Sequence, residues 1–105
     1  MQVERIKFER TGGFAGMRIA TDLELDDLPD DQANSIMELL DDLDFEELPE
    51  QMINKDSMPD QFTYTITVKT KKGEHTVVTG ESSAPKKMQE LLQLLNRLAR
   101  TRKKQ

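Results

Sequence analysis

Two kinds of hydrophobic spacing alternate along this chain, and they divide it into six elements. Between Val3 and Arg10, Ile6 and Phe8 share one side of a period-two pattern while Lys7 and Glu9 share the other, as in a strand with one buried face. Thr11-Gly12-Gly13-Phe14-Ala15-Gly16 interrupts the pattern. It resumes from Met17 to Leu23, with Met17, Ile19, Thr21 and Leu23 on one face, which predicts a hairpin with a glycine-rich connection. The period then changes to 3.6. Ala33, Ile36, Met37, Leu40 and Leu43 or Leu39 form one helical face, and Pro29 suits a first turn that Asp30 and Asp31 favour electrostatically. The first helix is predicted over Pro29 to Asp42.

Asp44 to Gln61 has neither period. Phe45, Leu48, Met52, Ile53 and Met58 occur singly, and Pro49 and Pro59 punctuate the stretch, which reads as a long connection tucked against the edge of the core. Phe62, Tyr64, Ile66 and Val68 then alternate with Thr63, Thr65 and Thr67 in the clearest strand, Phe62 to Thr70. Lys71-Lys72-Gly73 is a turn and Glu74 to Thr79 a returning strand. Ser83 is placed to cap a second helix over Pro85 to Arg100, striped by Met88, Leu91, Leu92, Leu95, Leu98 and Ala99, with basic residues at its negative end. The order β-β-α-β-β-α predicts an α+β fold: a four-stranded, mostly antiparallel sheet packed on two helices, with the threonines on the open face. Residues 1–101 read as one domain and 102–105 as a frayed basic tail.

The chain has 105 residues and a net charge of −5, but the charge is uneven. Acidic residues crowd the segment from Asp22 to Asp60, where Lys55 is the one base. Lys86, Lys87, Arg97, Arg100, Arg102, Lys103 and Lys104 crowd the C-terminal end. That basic end does not make a nucleic-acid site, because the acidic half repels phosphate and no aromatic platform accompanies it. A membrane surface is disfavoured too, since the apolar stripe of the second helix is needed for the core. With no apolar span and no signal-peptide pattern at the N-terminus, a cytoplasmic location is expected.

Candidate chemistry is sparse. There is no cysteine, which removes thiolate catalysis and Cys-based zinc sites. His75, the single histidine, lies in a predicted strand with no marked nucleophile or orienting acid and reads as structural. The acids of Asp22–Asp31 do not follow a calcium-loop pattern, and HExxH is absent. No catalytic residue, metal site or cofactor is expected. Gly12-Gly13-Phe14-Ala15-Gly16 is the exception to this plainness. It joins strand to strand and lacks a phosphate-loop Lys-Ser/Thr, so it is no nucleotide fingerprint. Two readings stand: a turn with Phe14 folded over the core, or a thin protruding loop that offers one aromatic to a partner's cleft.

Phe8-Glu9-Arg10-Thr11-Gly12-Gly13-Phe14-Ala15-Gly16, the Leu28-Pro29 and Leu48-Pro49 pairs, Phe62-Thr63-Tyr64-Thr65-Ile66-Thr67-Val68 and the closing Ser83-Ala84-Pro85 with its leucine-rich helix together resemble the emfourin family. These are protein inhibitors of protealysin-like peptidases, zinc enzymes of the thermolysin-like family M4. The resemblance implies an inhibitor that covers a substrate cleft, with an M4 peptidase as partner and no enzymatic activity of its own. Shape then assigns Gly12, Gly13, Phe14, Ala15 and Gly16 to the interface. Lys71–Gly73 or Gly80–Ser83 would widen it, and the acids of Asp26–Asp31 would steer encounter. The alternative is an adaptor or regulatory domain that binds through the open sheet face at Thr63, Thr65 and Thr67. The free chain is expected to be a monomer, with an exposed sheet edge leaving dimerisation open.

Overall fold

A computed structural model describes residues 3–12, 17–52, 62–80 and 84–101. Strands β1 (Val3–Gly12) and β2 (Met17–Glu24) pair antiparallel, with Ile6 opposite Leu23 and Gly12 opposite Met17. A 3-10 turn at Leu25–Asp27 leads to helix α1 (Asp30–Leu43). A second 3-10 turn at Phe45–Glu47 leads to the short strand β3 (Gln51–Met52). Strands β4 (Phe62–Thr70) and β5 (Gly73–Gly80) form a hairpin, and helix α2 (Lys86–Thr101) follows. The sheet has five strands in the order β2-β1-β4-β5-β3, antiparallel throughout except that β3 runs parallel to β5.

The α+β architecture expected from the periodicity is present, with one strand more than the four anticipated. The additional strand lies in the stretch expected to be irregular. It is too short for any alternation to mark it, and context holds it: the Val78 amide donates to the Glu50 carbonyl at 2.7 Å, setting Gln51 opposite Val78. Helix α1 begins at Asp30, not Pro29, because the Pro29 carbonyl takes the Ala33 amide at 3.0 Å while Pro29 itself stays extended. It ends at Asp44, a left-handed residue (φ 49°) whose amide reaches back to Asp41 and Leu40. Helix α2 likewise starts one residue later than expected, and the Pro85 carbonyl accepts the Gln89 amide. The anticipated Ser83 cap and the tail 102–105 fall outside the described residues.

One face of the sheet is covered. Ile6, Phe8, Leu23, Ile66, Val68 and Val77 are buried there beneath Ala33, Ile36 and Leu40 of α1 and Met88, Leu91, Leu95 and Ala99 of α2. Burial of such side chains stabilises by about 1.5–3 kcal/mol each, which makes this layer the main support of the fold. The other face has no helix on it among the described residues. It carries Arg5, Lys7 and Glu9 of β1, Arg18, Ala20, Asp22 and Glu24 of β2, and Thr63, Thr65 and Thr67 of β4. The threonines thus line the open face as the alternation predicts. Thr67 and Thr76 share a hydroxyl hydrogen bond of 2.9 Å across it. Among the described residues no helix is long and apolar enough to cross a membrane.

Candidate functional site

The strand register decides which connections share an end of the sheet. Gly12 faces Met17 on one side and Phe62 on the other, and Gly80 faces Thr63 beside them. Met52 pairs with Thr79 and heads the same way. Gly12, Met17, Met52, Phe62 and Gly80 therefore stand at one end, as the stems of three connections: 13–16, 53–61 and 81–83. Gly12 has φ 104°, a backbone that glycine adopts freely and side chains resist, so the sequence bends there for a physical reason. The other interface residues expected from the sequence, Gly13, Phe14, Ala15 and Gly16, lie outside the described residues.

The stem is stiffened by aromatic contacts. The Arg10 guanidinium lies 4.4 Å from the centroid of the Phe62 ring, and Phe8 stacks with Tyr64 at 6.0 Å. Beside Tyr64, a recess of about 220 Å³ opens between β4 and α2, lined by Gln89, Leu92, Gln93 and Asn96. Asn96 Oδ1 is buried there as an unmet acceptor among the described residues.

The opposite end holds what the sequence had associated with the loop. The Lys71–Lys72 turn, tied by the Lys72 amide to Thr70 Oγ1 at 3.2 Å, follows Thr70, which faces Val3 at the start of β1. The length of β4 separates it from Phe62, about 26 Å at 3.3 Å per residue. Lys71–Gly73 therefore does not belong to a footprint centred on Gly12, whereas Gly80 does. The acidic turn Leu25–Asp27 also leaves β2 at the far end, after Glu24 opposite Arg5, so Asp26 and Asp27, two of the acids expected to steer encounter, lie away from the loop stem.

His75 is also at that far end, and it is a structural pin. Its Nε2 lies 2.9 Å from the Leu48 carbonyl, which accepts a hydrogen bond and so fixes the proton on Nε2. Its ring meets Phe45 edge-on at 5.6 Å. Sequence reasoning placed His75 among structural residues but missed its task, because the partner carbonyl comes from the unpatterned stretch after α1. Among the described residues no group of three or more His, Asp or Glu side chains is placed to hold a metal ion.

The open face carries a second candidate. A shallow concavity of about 430 Å³ is bordered by Lys7, Glu9, Arg18, Ala20, Thr65 and Thr67. Arg18 pairs with Glu9, and Arg5 pairs with Asp22 at 3.2 Å and Glu24 at 2.7 Å.

The family model for emfourin matches residues 8–96, which takes in β1 from Phe8 onward, the other four strands, all of α1 and most of α2. The chain belongs to the emfourin family. A solved structure similar to this emfourin-family chain is emfourin (M4in) from Serratia proteamaculans, an M4 family peptidase inhibitor, at 21% identity over 87% of each chain with a TM-score of 0.47. No curated protein matches by sequence. Emfourin-family proteins are peptidase inhibitors, so this one works by binding and is not an enzyme.

Proposed function

We propose that this protein inhibits an M4 family, thermolysin-like zinc peptidase by occluding its substrate cleft with the loop end of the sheet. Membership of the emfourin family carries the reading. The gathering of three connection stems at one end supports the choice of surface, because a cleft is filled by adjacent loops on a rigid platform. In this reading Gly12–Gly16 enters the cleft, Phe14 supplies the apolar anchor, and the strand ends at Met52, Phe62 and Gly80 flank it. Competition needs only that the loop end and a peptide substrate claim the same space.

Titration into a fixed concentration of an M4 peptidase, read with a peptide substrate, is expected to remove activity stoichiometrically. Phe14→Ala should weaken inhibition by about 2–4 kcal/mol, the loss typical of a central aromatic anchor, with the thermal midpoint unchanged. Thr65→Arg, which fills the concavity on the open face, should leave inhibition as it is. The reverse ranking of these two variants would move the binding surface to the open face. Full peptidase activity at large molar excess would refute inhibition of that enzyme.

A further inference from the structure

The two edges of the sheet are treated differently. On one side β3 covers β5 at Val78 and Thr79. On the other, β2 is the last strand, and none of the described residues pairs with its outer edge along Met17–Glu24. A bare strand of this length presents a row of backbone donors and acceptors, and proteins that avoid self-pairing guard such an edge with charged side chains, proline or a bulge. Here proline and bulge are missing, and the charges are arranged so that they attract a second copy instead of repelling it. Residues 17–24 contain no proline, the β1–β2 register runs without a shift, and the exposed side chains are of mixed sign: Arg18 on one half, Asp22 and Glu24 on the other.

The spacing of these charges selects a partner. Two copies of β2 joined antiparallel about a two-fold axis perpendicular to the sheet must place some residue opposite itself, because opposed side chains share a face. The two registers of greatest overlap centre on Ala20 and on Thr21. Centring on Ala20 overlaps Met17–Leu23 and sets Arg18 against Asp22 of the other copy, twice. Centring on Thr21 overlaps Arg18–Glu24 and sets Arg18 against Glu24, again twice. In either register the cation meets a carboxylate and no like charges are directly opposed, with Ala20 too small to obstruct the approach.

We infer that β2 is a homodimer edge, at which two chains join antiparallel into one ten-stranded sheet. This differs from the monomer expected of the free chain. Because β2 runs from the loop end to the far end, the antiparallel joint points the two loop ends in opposite directions.

Sedimentation velocity at rising protein concentration tests this. The weight-average mass should climb towards twice that of one chain, and Arg18→Glu should raise the dissociation constant by about tenfold or more, since two symmetry-related pairs become repulsive. Asp22→Arg combined with Glu24→Arg should likewise hold the chain as a monomer. An equimolar mixture of that variant with Arg18→Glu should recover the dimer mass, because each strand again meets its opposite, and recovery requires both variants to be folded. A wild-type chain that stays single at every concentration overturns the proposal and leaves the edge to a strand of another protein. A dimer indifferent to Arg18→Glu, or variants that fold by circular dichroism yet do not associate when mixed, overturns it as well.

Discussion

The two faces of the sheet are made from the same strands by alternation, yet they are held by different forces. The covered face buries Ile6, Phe8, Ile66 and Val68 under two helices with almost no accessible surface left. The open face carries ion pairs and threonine hydroxyls at the surface. Apolar burial scales with area and tolerates no vacancy, whereas exposed charge pairs are screened by water and salt. One sequence thus separates stability from surface: nearly all the support lies on one side, and the other side is free to vary.

Substitutions should reveal this gap in order of size. Leu95→Ala, at a fully buried position of α2, should lower the unfolding free energy by about 2–5 kcal/mol in denaturant titration. A loss under about 1 kcal/mol would show the helical layer to be loosely packed and the contrast overstated. His75→Ala should cost about 1–3 kcal/mol, because it leaves the Leu48 carbonyl without its donor and Phe45 without its edge contact. Amide exchange separates this local effect from global loss. The Val78 amide, bonded to the Glu50 carbonyl, should exchange faster than the amides of the β1–β4 pairing. Arg5→Ala, which removes two pairs on the open face, should cost about 0.2–1 kcal/mol and lose even that at high salt. A larger, salt-insensitive cost would mean the Arg5 stem contributes through packing instead.

Both faces of β4 were legible before any coordinates, because Phe62, Tyr64, Ile66 and Val68 alternate with Thr63, Thr65 and Thr67 without a break. The helices were legible to within a residue or so at each end, since their stripes hold for three turns or more. What could not be read has a common cause. The β3 pairing and the His75 hydrogen bond depend on a carbonyl or amide supplied from far along the chain, and no side-chain pattern encodes a backbone partner. The candidate site shows the same division. Gly12 was legible as a bend, but only the register reveals that Gly80 stands at the same end of the sheet, across β4, and that Lys71–Gly73 stands at the opposite end.

The central position of β1 has a consequence for how the molecule comes into being. Strand β1 lies between β2, its immediate successor, and β4, which follows α1 and the whole acidic stretch. Until β4 emerges, the nascent chain owns a lone two-stranded ribbon, an arrangement marginal in water by itself. Its apolar helix face then has little to rest on. Closing so long a loop before the contacts that reward it makes folding slower than that of a helical bundle of this size. A cut anywhere between α1 and β4 severs the β1–β4 pairing at the centre of the sheet, leaving β1–β2 and β4–β5 as separate hairpins, each marginal without the other.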